Sequence, residues 1–221
     1  MDHIVDNLLQ ENSAEFDRYF ELLVEWNDKF NLTAITDREG VFVKHFKDSL
    51  LGERFVKENA KVLDIGAGAG FPSLPIKIVR PDIDLTLVDS VGKKVTFLSE
   101  VIGALNLKSA KALHLRAEDI KEREFYDCVL SRAVANLSTL AEYCLPFVKK
   151  GGYFVAYKSS DCAEEIAGAE NAIKILGGKV ESVERLPLDE QTERCFVIIK
   201  KVEITPKKYP RGKNLPRKTP L

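Results

Sequence analysis

The sequence has few cysteines and no pattern that puts them to chemical use. Cys128, Cys144, Cys162 and Cys195 are widely spaced, with no C-x-x-C pair and no histidine cluster beside them. No metal site is expected, and buried thiols in a reducing compartment are expected in place of disulfides. No stretch approaches the roughly 20 apolar residues that span a bilayer. The N-terminus, Met1-Asp2-His3-Ile4-Val5-Asp6, lacks the basic flank and apolar core of a secretory signal. These absences point to a cytoplasmic protein without a membrane partner. Internal repeats and low-complexity tracts are missing too, as is any evident Ser-His-Asp or paired-carboxylate constellation. The 221 residues suffice for one large α/β domain with a full core and a modest extension. No heptad seam or long exposed apolar stripe calls for an obligate partner, so a monomer is expected.

Acid is missing from one place in particular. Residues 205–221 hold Lys207, Lys208, Arg211, Lys213, Arg217 and Lys218 and no Asp or Glu. The tail is therefore +6 on a body of −7, which nearly cancel in the overall charge of −1. A basic tail on an acidic body suggests a polyanionic partner, most simply RNA or DNA. Its prolines and lack of apolar periodicity argue against a helix. The tail is expected to be separable from small-molecule binding.

The chain is organised around Lys61-Val62-Leu63-Asp64-Ile65-Gly66-Ala67-Gly68-Ala69-Gly70-Phe71. A short apolar run of β-formers reads as a buried strand, and three alternating glycines end it. Glycine there permits positive φ and lets a ligand approach the main chain closely. Ser73 and Pro75 read as the N-cap and first-turn proline of a helix just past the loop. Nineteen residues after Gly70, the run Leu85-Thr86-Leu87-Val88 ends in Asp89. At that spacing a second strand delivers a carboxylate to ribose hydroxyls. A dinucleotide fingerprint requires a small third residue at position 71, where this chain has Phe71. Asp64, two places before the first glycine, is a poor neighbour for a pyrophosphate and a good one for a cation. The loop therefore favours S-adenosylmethionine over NAD, with Asp64, Gly66, Gly68, Gly70 and Asp89 as expected contacts.

Upstream, residues 3–30 read as helical, with Ser13 as an N-cap and Phe16, Tyr19, Phe20, Leu23, Trp26 and Phe30 at helical spacing. An aromatic stripe of this kind is read as packing, not as a base-stacking platform. A connector leads to a second helix over 41–50, on which His45 and Asp48 share a face. A lone helical histidine is more often structural than catalytic. Downstream, helices over 91–104, 136–148 and 161–176 alternate with strands at 112–115, 126–130 and 153–157. Arg132 and Lys158 fall at carboxyl ends of strands, where open α/β sheets bind ligands. Strands near 179–187 and 194–201 form a closing hairpin, which predicts an antiparallel last strand.

Taken together, several segments resemble the bacterial 16S ribosomal RNA guanine-N7 methyltransferase family, also called glucose-inhibited division protein B. They are Trp26-Asn27, Asn31-Leu32-Thr33-Ala34-Ile35, Lys44-His45-Phe46-Lys47-Asp48-Ser49-Leu50, Val62 to Gly66, Ser131-Arg132-Ala133-Val134-Ala135 and Lys207-Lys208-Tyr209-Pro210-Arg211. The resemblance runs from about residue 10 to the end. It implies a class I methyltransferase fold, Rossmann-like, with a seven-stranded mostly parallel sheet. A helical cap over 1–58, a methyltransferase domain over 59–204 and the tail over 205–221 are expected. It implies cofactor contacts at Gly66, Phe71, Ala117, Glu118 and Arg132, with Asp89 at the ribose and an RNA face on the cap and tail. The family's loop usually has proline and glycine where this chain has Ala69 and Ser73, and glycine where it has Ser159.

The implied reaction asks little of acid–base chemistry. Guanine N7 has an in-plane lone pair and no proton, so positioning dominates, a contribution of about 7–11 kcal/mol. Arg132, His45 and Lys158 are the candidate catalytic residues, each for holding the base, a phosphate or the cofactor's carboxylate. The expected substrate is 16S ribosomal RNA or the small subunit. A methyltransferase for a small molecule or protein, a non-catalytic RNA-binding regulator and an NAD-dependent oxidoreductase are the rival readings.

Overall fold

The computed structural model of the chain describes residues 2–132, 135–159 and 162–221. Ala133, Val134 and Asp161, which the sequence reading placed in a motif and at a helix start, lie outside the described residues. Two helices open the chain, α1 (Asp2–Glu11) and α2 (Ser13–Phe30). Asn12, not Ser13, occupies the N-cap position between them, and it makes no side-chain cap. A second helical stretch follows as α3 (Arg38–Val41), a π turn (Phe42–Lys47) and α4 (Asp48–Leu50). A 3-10 turn (Glu53–Phe55) leads into the sheet.

The sheet is built from β1 (Lys61–Ile65), β2 (Asp84–Asp89), β3 (Ala110–His114), β4 (Tyr126–Arg132), β5 (Val148–Ser159), β6 (Gly178–Pro187) and β7 (Glu193–Lys201). Between the strands run α5 (Ser73–Val79), α6 (Gly92–Ala104), α7 (Leu137–Cys144) and α8 (Ala163–Ile175), with α9 (Leu215–Lys218) near the end. The strand order is β3-β2-β1-β4-β5-β7-β6. The first five strands are parallel to their neighbours, and β7 inserts antiparallel between β5 and β6. The expected antiparallel last strand is thus present, one place in from the edge.

Alternation along the strands sends side chains to opposite faces. Val62, Leu85, Leu87 and Leu130 join one buried cluster, while Leu63, Val88 and Val129 join the other. Both faces are covered, which explains why β1 and β2 read as continuous apolar runs. Phe16, Tyr19, Leu23 and Phe46 from the N-terminal helices pack in the first cluster with Phe71 and Phe97. Of the aromatic stripe, Phe16, Tyr19 and Leu23 are core, while Phe20 and Trp26 are half-buried against it and Phe30 is half-buried at its end. Edge strand β6 exposes Lys179, Glu181 and Arg185, and such charges discourage edge pairing.

Two expectations need correction. Cys162 and Cys195 form a disulfide, leaving Cys128 and Cys144 as buried thiols. Cys195 pairs in register with Lys158 near the end of β5, and Cys162 follows where the chain enters α8. Sheet pairing brings the two together, which their separation of 33 does not display. The tail is also docked along α7, and α9 forms despite its prolines. Arg211 clamps the buried carboxylate of Glu142 through Nε and Nη2 at 2.9 and 2.6 Å. Thr139 Oγ1 donates to the Pro216 carbonyl, Ser138 Oγ donates to that of Leu221, and Tyr209 is buried. Arg211→Ala strands the Glu142 charge, so urea denaturation should register a stability loss of about 3 kcal/mol.

Candidate active site

The strand order reverses between β1 and β4, which run parallel, and ligand crevices of open α/β sheets form outside the strand ends at such a switch point. A cavity of about 650 Å³ lies there, within the range of about 300–1,000 Å³ usual for small-molecule sites. The glycine loop makes its floor. Gly66 and Gly68 have φ of 77 and 60°, and a Cβ on Gly68 would meet only the Gly66 carbonyl, at 3.8 Å. The main-chain N–H groups of Gly66 and Ala67 both donate to the Val88 carbonyl, fixing the loop to β2. Asp89 closes the same corner: its Oδ2 accepts from Gly68 N–H and its Oδ1 from Val91 N–H, each at 2.9 Å. Asp89 also lines the cavity.

Asp64 lies one layer below, fully buried. Ser73 Oγ donates to Asp64 Oδ2 at 2.6 Å, so Ser73 is a partner for this carboxylate and not the expected helix cap. Oδ1 has no partner among the described residues. Burial pushes the Asp64 carboxyl up to about 7, opposed by the Ser73 hydrogen bond and the Arg132 charge. Gly70 is beside the cavity, not in its lining: a Cβ there would lie 2.4 Å from the Tyr19 hydroxyl. That hydroxyl donates to the Ala69 carbonyl at 2.5 Å, so α2 holds the loop from behind.

The mouth of the cavity is aromatic and cationic. The His45 ring stacks on Phe71 with centroids 4.5 Å apart and planes at 19°. The Arg132 guanidinium lies 5.1 Å from the Phe71 centroid. Asp48, buried in α4, accepts from Arg132 Nη1 on Oδ2 and from Arg194 Nε on Oδ1, both at 2.5 Å. His45 Nε2 contacts Thr33 Oγ1 at 2.8 Å, and Nδ1 lies near the Lys44 carbonyl and Arg132. Burial and the Arg132 charge lower the imidazole to about 4, so His45 is neutral at physiological pH.

Ala117 and Glu118, in a 3-10 turn after β3, line the opposite end. The structure therefore brings together Gly66, Gly68, Phe71, Asp89, Ala117, Glu118, Arg132 and His45 around one cavity. Lys158 is not among the lining residues; its Nζ donates to the Ala135 carbonyl and pairs with Glu165 at 2.8 and 2.5 Å. In the tail, Lys207, Lys208, Lys213, Arg217 and Lys218 are exposed, while the Arg211 guanidinium is engaged by Glu142.

The family model of GidB, described as rRNA small subunit methyltransferase G, matches residues 12–193. The chain belongs to this family. Relatives named ribosomal RNA small subunit methyltransferase G include that of Staphylococcus carnosus, 48% identical over 97% of this chain and 92% of that one. The protein of that name from Exiguobacterium sp. is 50% identical over 94% and 90%. Solved structures establish the fold. TYW2 of M. jannaschii in complex with AdoMet matches with a TM-score of 0.61 at 14% identity, over 76% of this chain and 80% of that chain. A SAM-dependent methyltransferase from Aquifex aeolicus matches at 0.57 and 18%, over 75% and 94%.

The residues of this rRNA methyltransferase G family member fit S-adenosylmethionine. The glycine cradle admits close approach, Asp89 offers acceptors to a ribose, and the orphaned Asp64 Oδ1 adds negative potential beneath a cationic ligand. Sequence reasoning missed Lys94, Arg116, Tyr143 and Asn214, which also line the cavity. Tyr143 is buried in the same core cluster as Leu137, Leu140, Ala141 and Cys144 of α7, and it also lines the cavity.

The Asp64 environment predicts a stability change with pH. Its carboxyl is near 3.8 unfolded and about 7 folded, so the folded state is favoured below pH 4 and loses that advantage as pH rises through 7. Urea midpoints of the ligand-free protein at pH 5 and 8 should fall more for wild type than for Asp64→Asn. The excess loss should be on the order of 1.4 kcal/mol per pH unit between pH 5 and 7 and should level off above 7.

Proposed function

We propose that the protein methylates N7 of a guanine in the 16S ribosomal RNA of the small subunit, using S-adenosylmethionine. The observation that carries this reading is the conjunction of the Asp89-braced glycine loop with the Phe71–His45–Arg132 mouth, in a member of this family. When bound, S-adenosylmethionine supplies an electrophilic sulfonium methyl group. Asp89 accepts from the ribose hydroxyls, and Glu118 accepts from the adenine amino group. Phe71 and His45 form a flat apolar wall, and Arg132 beside them binds an anionic or carbonyl oxygen of the incoming nucleotide.

No residue is asked to remove a proton, because guanine N7 carries none. A neutral His45 suits a packing and orienting role. Arg132, pinned by Asp48, has little rotational freedom left to lose, which favours orientation as the source of rate. The segment 1–58 serves as the substrate-side cap on the methyltransferase domain at 59–204. Lys207, Lys208, Lys213 and Lys218 provide phosphate contacts from the tail, and Arg211 acts in docking that tail.

The test is methyl transfer from labelled S-adenosylmethionine to small subunits from cells lacking the protein, followed by nucleoside identification. Labelled 7-methylguanosine in the RNA is expected. Arg132→Ala should lower the rate about 100-fold through lost positioning. Label in a different nucleoside, or in protein, would refute the assigned acceptor.

A further inference from the structure

We infer that the C-terminal segment is a wall of the cofactor site and that Asn214 recognises the adenine of the bound adenosine moiety. This rests on the proposed use of S-adenosylmethionine. Three residues outside the glycine-loop motif, Tyr143, Asn214 and Arg217, line the cavity together with Ala117 and Glu118. The Tyr143 phenol feels the charges of Glu118, Arg217 and Arg116, which places this group at the Ala117–Glu118 end. The tail is therefore built into the end of the cavity where the nucleobase is expected.

The geometry at Asn214 supplies the chemistry. Tyr143 Oη donates to Asn214 Oδ1 at 3.3 Å, which occupies the carboxamide oxygen and orients the amide. The Nδ2 donor has no protein acceptor among the described residues. Adenine presents a donor, its amino group, next to ring-nitrogen acceptors. Glu118 and Asn214 offer the complement, a carboxylate acceptor and an amide donor. Asn214 adopts φ of 59°, a left-handed conformation that asparagine tolerates better than most residues.

The placement of Asn214 is enforced from both sides. Upstream, Arg211 is clamped on Glu142; downstream, the Pro216 carbonyl accepts from Thr139. A tail that only met RNA phosphates would need no such registration on α7. The same anchoring explains why the expectation of a separable tail does not suit this structure: removing 205–221 removes two residues of the cavity lining.

The experiment is titration calorimetry on the full-length protein without RNA, using S-adenosylmethionine, S-adenosylhomocysteine and 5′-methylthioadenosine. The variants are Asn214→Gly, which keeps the positive φ and deletes only the carboxamide, and Tyr143→Phe, which deletes the orienting hydroxyl. Asn214→Gly should raise Kd about three- to tenfold for all three ligands alike, since they share the adenosine. Tyr143→Phe should raise it by a smaller factor, and the melting temperature of each ligand-free variant should match wild type. Unchanged affinity in Asn214→Gly, or a loss confined to S-adenosylmethionine, would overturn the inference while leaving the methyltransferase reading intact. A wild-type protein that binds none of the three would overturn that reading, and this inference with it.

Discussion

Asp48 takes one guanidinium on each carboxylate oxygen while itself fully buried, and the mouth of the cavity depends on that arrangement. Through it, a helix of the N-terminal region is tied to the end of β4 by Arg132 and to the start of β7 by Arg194. A buried carboxylate without its cations would be strongly unfavourable, so the pair is maintained as a unit. Neighbouring contacts lock the same junction: Ser49 Oγ donates to the His45 carbonyl, and Tyr157 Oη donates to that of Ser49. Arg132 thus faces Phe71 in a fixed pose, and His45 is held between Phe71 and Thr33. The cap region is chemically continuous with the sheet at this point.

Electrostatics around the cavity follow from the layering. The mouth carries Arg132 beside a neutral His45, the glycine-loop corner carries Asp89, and under the loop Asp64 keeps one oxygen without a partner among the described residues. Asp64 is the one buried polar side-chain atom left without a partner among the described residues, at the position that sequence reasoning had marked for its charge. Ser73 answers its other oxygen, a pairing that ties the start of α5 to β1.

What the sequence disclosed was local or periodic. Strand β1, the first two glycines and the Asp89 spacing are consecutive or nearly so, and they placed the cavity floor. The apolar alternation of the strands and the stripe on α2 likewise located the core. What it concealed depends on long-range pairing. Arg194 meets Asp48 across 146 positions, and Cys195 meets Cys162 only because β7 pairs with β5. The tail looked unstructured because its order comes from α7: Glu142 is buried beneath Arg211, and a stripe analysis has no reason to select it. Lys158 sits on the expected rim, yet Glu165 on the next helix holds it away from the cavity lining.

In the proposed reaction the site holds its substrates in place and needs no proton acceptor. The most direct measurement is the single-turnover rate of methyl transfer between pH 5.5 and 9, in wild type and in His45→Asn, at saturating cofactor. With His45 titrating near 4 and guanine N7 carrying no proton, the wild-type profile should show no limb attributable to the imidazole. His45→Asn should shift the rate by one constant factor across the range. A wild-type limb near pH 6–7 that disappears in His45→Asn would show the imidazole acting as a base, and would contradict the account.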